Sequence, residues 1–261
     1  MAEILVLTPT LGCRRSLERT IRSVRAIGGD RVRHVLVCPA GMADELTTRY
    51  GVECIAEPDG CRGIYPALNH GFDILGHDYA YLTFINDDDY WRPDYGRLID
   101  IAVGGRVDLV YGKVDFDMGG RIIDMACSGR FYDFVALLQR RIVLFTQQAA
   151  IVRSSVFFAA GGFDEHYRLV SDTKLWARLS QMHISFCYVG RVCARCSMDD
   201  GRLSSDRNLQ LKEHNALMAG LPVPSRARII MTVLRFRMTN VPVYVRRVFR
   251  ALKAGNTKFR M

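Results

Sequence analysis

The sequence predicts an α/β fold with a mostly parallel central sheet flanked by helices. Three observations carry this reading. Apolar, β-branched runs alternate with helix-patterned segments from Ile4 to Ile85. Turn-forming or polar residues follow directly on those runs, where doubly wound sheets bind ligands. The chain has 261 residues, 49% hydrophobic and 24% charged, which suits one large domain, or a domain plus an appendage, around a sizeable core.

The elements follow in order. Ile4 to Thr8 reads as a first strand, and Ser16 to Ala26 as a helix with Leu17, Ile21 and Val24 on one side. Val35 to Cys38 is a second strand, Ala43 to Tyr50 a short helix, and Glu53 to Ala56 a third strand. A helix from Ile64 to Leu75 leads into a strand at Tyr81 to Ile85. This βαβαβ order argues for a parallel sheet. Thr8-Pro9-Thr10, Pro39-Ala40-Gly41 and the acids after Ile85 then stand at strand carboxyl ends and are expected to converge.

The second half has a different texture. Val107 to Tyr111 and Val114 to Asp117 read as strands, with a hairpin turn at Gly119-Gly120 returning through Arg121-Ile122-Ile123. Phe131 to Arg140 suggests a helix, Ala149 to Val152 a strand, and Ser154 to Ala160 a capped helix. Ser171 caps a helix from Asp172 to Gln181 that packs through Leu175, Trp176 and Leu179. Pro222 and Pro224 mark a boundary, so the expected division is a domain at 1–220, split into halves 1–110 and 111–220, and a basic helical extension at 221–261.

Composition narrows the function classes. Met1-Ala-Glu-Ile-Leu-Val-Leu reads as a strand rather than a secretory leader, and no stretch approaches the roughly 20 apolar residues of a membrane span. The eight cysteines form no secreted framework, so reduced thiols in a cytoplasmic compartment are expected. Cys193 and Cys196 form a C-x-x-C, but no second pair stands at zinc-ribbon spacing, which favours a structural role.

Charge is unevenly spread. Residues 221–261 hold ten Lys/Arg and no Asp or Glu, so of the net +9 the preceding 220 residues carry 9 − 10 = −1. Val245, Val248, Phe249 and Leu252 share one helical face and Arg246, Arg247, Arg250 and Lys253 the other. A basic amphipathic helix at 243–253 suits peripheral contact with an anionic membrane, or packing on its own domain or on a second copy in a homodimer. The arginines of 227–239 are spread around the helix and give no such face. A nucleic-acid module is the different class to weigh, but the tail carries no recognised motif and few aromatics in basic context.

The chemistry concentrates at Asp87, Asp88 and Asp89, which close the apolar run 79–86. Packed carboxylates repel one another unless a cation or proton relieves them, and hard oxygen ligands suit Mg2+ or Mn2+ completed by a diphosphate. A solvated acidic turn would explain three acids equally well. Asp172, in the first turn of a helix, is either a stabiliser of the dipole or a catalytic carboxylate.

Taken together, Ile4-Leu-Val-Leu-Thr-Pro-Thr10, the run from Glu57 to Gly71, Phe84-Ile-Asn-Asp-Asp-Asp-Tyr90, Gly162-Phe-Asp-Glu165 and Ser171-Asp-Thr-Lys-Leu-Trp-Ala-Arg178 resemble glycosyltransferase family 2 over roughly residues 3–205. These are inverting enzymes of the GT-A, Rossmann-like fold that use nucleotide-diphosphate sugars. The resemblance implies metal-dependent hexosyl or hexosaminyl transfer, from a UDP-sugar first of all, to a hydroxyl of a glycan or lipid-linked acceptor in bacterial polysaccharide biosynthesis. An inactive sugar-nucleotide-binding module is the alternative.

The resemblance also implies roles. Thr8, Pro9 and Thr10 would line the nucleobase pocket, with Glu57 and Asp59 approaching base or ribose. Gly63, Ala67, Asn69 and Gly71 would let the next helix pass under the nucleotide. Asp89 would bind Mn2+ or Mg2+ most directly, Asp87 would hold the ion or its water, and Asp88 would reach ribose or sugar hydroxyls. Asp172 matches the general base. Arg153, Arg178 and the segment from Arg202 to Ser205 are candidates to meet diphosphate or acceptor charge, although surface solvation explains Arg178 better. Three positions depart from the pattern. Val37-Cys38-Pro39-Ala40-Gly41 lacks the usual carboxylate after the second strand, Pro66 and His70 replace an Asp and a Lys, and Ser171 stands where Glu often precedes the base.

Overall fold

The computed structural model describes residues 2–198 and 206–253. Strand β1 (Ile4–Pro9) is buried along its whole length, and it is hydrogen-bonded in parallel on both sides, to β2 (Val32–Cys38) and to β4 (Tyr81–Phe84). Burial of both faces is why its sequence is continuously apolar rather than alternating. The sheet extends outward from β2 to β3 (Glu53–Ala56), also parallel. The connecting helices are α1 (Leu17–Gly28), α2 (Ala43–Tyr50) and α3 (Ile64–Leu75).

Beyond β4 the sheet becomes mixed. Its remaining elements in chain order are β5 (Tyr90–Trp91), α4 (Tyr95–Val103), β6 (Leu109–Met118), β7 (Arg121–Asp124), α5 (Phe134–Leu138), β8 (Ala150–Arg153), α6 (Ser154–Ala159), α7 (Ser171–Leu179) and β9 (Phe186–Ser197). Among the described residues nine strands form one sheet in the order β3-β2-β1-β4-β8-β6-β9-β5, with β7 on β6. Six strands run one way; β5, β7 and β8 oppose them. The sheet is therefore mostly parallel, as the sequence predicts.

The pleat sorts side chains into two cores. Leu5, Leu7, Val35 and Val37 point toward the helices α3, α5 and α7, where Phe72, Phe134 and Trp176 are buried. Ile4 and Val6 point the other way, toward Tyr95, Leu98 and Ile99 of α4. Helix α3 lies so close to the sheet that a Cβ on Gly71 would stand 2.7 Å from Leu7 Cδ1.

Several elements differ from expectation. The two strands expected at 107–117 are one, β6, with an irregularity between Gly112 and Val114. Ser154 and Ser171 begin their helices without capping through their side chains, and the Ser154 hydroxyl instead donates to Gly76 O at 2.8 Å. Strand β9, twelve residues long, is missing from the sequence reading. Its pattern is broken by Gly190, Arg191 and Arg195 and by the register shift against β6, so no clean alternation survives.

Among the described residues three helices follow β9: α8 (Arg207–Ala219), α9 (Arg226–Thr239) and α10 (Val241–Lys253). Helix α8 is fastened by Glu213, which accepts from the N–H groups of Arg168 and Leu169, each at 2.8 Å. Helix α9 buries Phe236 in the main core, and Asn240 Oδ1, at the α9–α10 corner, accepts from Cys127 N at 3.1 Å. Among the described residues no helix is long and apolar enough to cross a membrane.

Candidate active site

The carboxyl ends of β1, β2, β3 and β4 lie side by side, as the parallel order requires. Thr10 N donates to Val37 O at 2.9 Å and Glu57 N to Cys38 O at 2.8 Å, which draws the segments after β1 and β3 onto β2. Beyond β4, the chain turns at Asn86, whose carbonyl accepts from Asp89 N at 3.1 Å. This turn separates the three aspartates.

Asp87 and Asp88 meet the loop after β1. Thr10 Oγ1 donates to Asp87 Oδ2 at 2.7 Å and accepts from Gly12 N at 3.0 Å. Gly12 has φ 74°, a conformation that favours glycine, and the tip of Met42 packs into the space beside it. Arg14 lies between the two carboxylates, with Nε 3.4 Å from Asp87 Oδ1 and Nη1 3.2 Å from Asp88 Oδ2. Burial raises the Asp87 pKa above the ordinary carboxylate value, opposed by Thr10 and Arg14.

Asp89 is turned the other way. It has no exposed surface, and its Oδ1 accepts from Ser197 N at 2.9 Å. Its Oδ2 accepts from Gln148 Nε2 at 2.8 Å and from Asn86 Nδ2 at 3.4 Å. Ser197 Oγ donates to Asp88 O at 2.6 Å, and Arg19 Nη2 bonds both Asp88 O and Ser197 Oγ. Asp89, expected as the first metal ligand, is thus the residue that joins the acidic turn to β9 and to the segment before β8.

A second cluster lies between α3 and α7. The Tyr65 hydroxyl donates to Asp172 Oδ1 at 3.2 Å, and Thr173 N donates to the same oxygen at 2.7 Å. Burial raises the Asp172 pKa, while the bonds from Thr173 and Tyr65 oppose that rise. The result is a carboxylate with more affinity for a proton than a solvated one, held by a donor from each helix.

The other expected site residues are distributed as follows. Glu57 is half-buried and Asp59 exposed beyond β3, and Gly63 precedes α3 with φ 103°. Pro9 is buried at the end of β1. Thr8 points into the protein, where Oγ1 bonds His34 Nε2 at 2.9 Å. Asn69 differs from expectation: its amide donates to Phe163 O and Glu165 Oε1 and accepts from Phe163 N, all within 3.0 Å, so it clamps the 162–165 loop. Arg153 also differs. It pairs with Asp108 at 2.9 Å, opposite Tyr81 at the amino end of β4, remote from the acidic turn. Arg178 donates to Ala160 O. Arg202 to Ser205 lie outside the described residues. Cys193 and Cys196 are both buried.

Sequence reasoning missed Arg14, Arg19, Gln148 and Ser197. Paired arginines in the loop after the first strand were a usable signal for Arg14. Nothing local marks Gln148 or Ser197, because their role depends on strand pairing.

The chemistry of the donor set fits a divalent ion of the Mg2+ or Mn2+ type. Among the described residues no group of three His, Cys, Asp or Glu side chains is arranged to hold a metal. Such ions are commonly held by one or two carboxylates plus substrate phosphates rather than by an all-protein cage. Asp87 and Asp88 supply two carboxylates, already facing a cation in the Arg14 guanidinium.

Residues 5–163 match the sequence model described as Glycosyl transferase family 2. No curated protein sequence matches the chain. Its structure resembles S. aureus TarS 1-349 in complex with UDP-GlcNAc, at TM-score 0.62 and 12% identity, covering 92% of this chain and 73% of that one. Against a longer S. aureus TarS structure, at TM-score 0.61 and 12% identity, 91% of this chain covers 43% of that one. It also resembles the mannosyltransferase PcManGT from Pyrobaculum calidifontis in complex with GDP-Man and Mn2+, at TM-score 0.60 and 15% identity, covering 99% of this chain and 76% of that one. At these identities the likeness is one of fold, and the fold is GT-A.

Proposed function

The chain belongs to glycosyl transferase family 2, and from that premise we propose that it transfers a hexosyl or hexosaminyl group from a nucleoside-diphosphate donor to an acceptor hydroxyl with inversion. The observation that carries this reading is the Asp87–Asp88 pair at the ends of parallel strands, bridged by Arg14. UDP is the first donor nucleotide to test, GDP the second; the fold neighbours are complexes with UDP-GlcNAc and with GDP-Man.

Asp172 is the general base. It takes the proton of the acceptor hydroxyl as that oxygen attacks the anomeric carbon, and the nucleoside diphosphate leaves from the opposite side. One base and no covalent intermediate give inversion. The raised affinity of Asp172 for a proton improves it as a base near neutral pH. Tyr65 and the Thr173 N–H orient its carboxylate. Asp87 and Asp88 would hold a divalent ion, which when bound offsets the charge that grows on the departing diphosphate. Thr10, Glu57 and Asp59 approach the nucleoside, with Gly63 leaving room beside it, and Arg14 answers diphosphate charge.

The acceptor is a glycan or lipid-linked hydroxyl of bacterial surface polysaccharide synthesis, reached from the cytoplasm. The 1–220 unit carries the catalysis. Thermal-shift titration with UDP, GDP, CDP and dTDP, each with Mn2+, Mg2+ or EDTA, tests the donor site. A selective, metal-dependent rise for one nucleotide supports it. No shift with any of them overturns it.

A further inference from the structure

The tail contacts the body through its arginines and the buried Val243, with Arg246 and Arg250 still about half exposed. Arg247 Nε donates to Asp124 O at 2.8 Å, Arg250 Nη1 to Asp124 Oδ1 at 3.0 Å, and Arg246 Nε lies 3.6 Å from Asp124 Oδ2. A helix that served only to cover its own domain would turn its apolar face inward. Here that face is left in solvent, and it continues along α9. Ile230, Leu234, Met238, Val241, Val245 and Phe249 recur at helical spacing and are between 45% and 66% exposed. In α9 this stripe is opposite Ile229, Thr232 and Phe236, the residues that seat the helix. Among the described residues sixteen large hydrophobics are exposed, and nine of them fall in 230–252. The stripe that the sequence revealed only in 243–253 thus covers two helices, whose corner is pinned by Asn240.

A cavity of about 490 Å³ adjoins this corner, between the tail and β6. Its lining includes Lys113, Arg130, Arg235 and Arg246 against one carboxylate, Asp133. Asp133 Oδ2 already accepts from Arg130 at 2.9 Å and Arg235 at 2.6 Å and Arg246 lies near Asp124, so four cations face two carboxylates and the cluster retains excess positive charge.

We propose that the α9–α10 corner is a docking site for an anionic lipid surface, with the apolar stripe in the headgroup–acyl boundary and a lipid phosphate in the cavity beside it. The stripe supplies apolar area, and the flanking Arg226, Arg228 and Arg237, all exposed, supply charge toward anionic headgroups. A second copy of the chain is disfavoured as the occupant. A two-fold contact would set this stripe and its ten-cation segment, which has no acid, against the same charges. The inference stands on the tail alone and does not depend on the catalytic reading.

The test is flotation of the full chain with vesicles of phosphatidylglycerol and phosphatidylcholine, compared with phosphatidylcholine alone, at low and high salt. Expected is about tenfold or greater partition onto the anionic vesicles, weakened by salt. Leu234→Ser with Phe249→Ser, both on exposed positions, reduces binding to all vesicles. Arg235→Gln with Arg246→Gln reduces binding to anionic vesicles selectively. A thermal-shift titration with inorganic phosphate separates the two sources of the anion. Stabilisation by phosphate that requires Arg235 and Arg246, without vesicle binding, overturns the proposal in favour of a soluble ligand. A dimer in solution that Leu234→Ser with Phe249→Ser converts to monomer overturns it in favour of self-association. Failure of the unaltered protein to float with anionic vesicles also overturns it.

Discussion

The hydroxyl of Tyr65 donates to Asp172 Oδ1 at 3.2 Å, which joins the first turn of α3 to the first turn of α7. The bond favours the ionised carboxylate, while burial favours the protonated one, and burial prevails. If Asp172 is the base, activity falls on the acid side through a pKa above the ordinary carboxylate value. Removing the donor with Tyr65→Phe raises that pKa further, so the acid limb of the kcat profile moves to higher pH. Asp172→Asn abolishes transfer, a loss of about a hundredfold or more, and leaves nucleotide affinity nearly intact. An unmoved limb in Tyr65→Phe would sever the link between the two residues.

Asp89 predicts a contrast between two substitutions. Asp89→Ala leaves the Ser197 N–H and the Gln148 amide without their acceptor in a buried site, at a cost of about 3 kcal/mol. Asp89→Asn costs less, about 1 kcal/mol, because Gln148 Oε1 is a buried oxygen without a hydrogen bond and can face the new amide after a flip. Urea denaturation of the two variants measures the difference. Equal losses would mean that Gln148 does not turn.

Gly71 is fixed by space. A Cβ there would meet Leu7 Cδ1 at 2.7 Å, Val37 Cγ2 at 3.1 Å and Ile55 Cδ1 at 3.3 Å. Gly71→Ala gains helix propensity of roughly 1 kcal/mol but forces α3 off the sheet at a cost of about 1–3 kcal/mol. A lower melting temperature is expected, with nucleotide preference unchanged.

His34 predicts a pH effect on stability. Burial and the charge of Arg25 lower its pKa to about 3. The unfolded chain takes up a proton near the usual value of about 6.5 and the folded chain does not, so this contribution is intact above that value. It is lost progressively as pH falls from about 6.5 toward 3. The urea midpoint should therefore drop between pH 7.5 and pH 5, and His34→Gln should flatten that drop, on the order of 1 kcal/mol of it.

The centre of the parallel half was legible because β1 and β4 are buried on both faces and read as unbroken apolar runs. The acidic turn was legible for the same reason: its charges interrupt such a run. The orientation of each aspartate was not. Three identical letters carry no direction, and the turn at Asn86 sends Asp89 inward while Asp87 and Asp88 meet Arg14. The resemblance implied a place near the nucleotide for Asn69, and charge suggested an anion for Arg153. Their partners, Phe163 and Asp108, are tens of residues away and became visible only in three dimensions. The apolar stripe of α9 was hidden for another reason. Arginines occur all round that helix, and only the burial of Ile229, Thr232 and Phe236 reveals which side is left over.

The bond between Ser197 and Asp89 spans 108 positions of the chain. During synthesis at roughly 5–20 residues per second, Asp89 therefore waits on the order of 5–20 seconds for its partner to be made. Until then the acidic turn lacks the strand that orients it, although β1 to β4 have all been translated. The nascent protein thus has most of its parallel sheet before it has a finished acidic site, and a chain stopped after residue 163, where the family match ends, would carry the three aspartates without the strand that holds them.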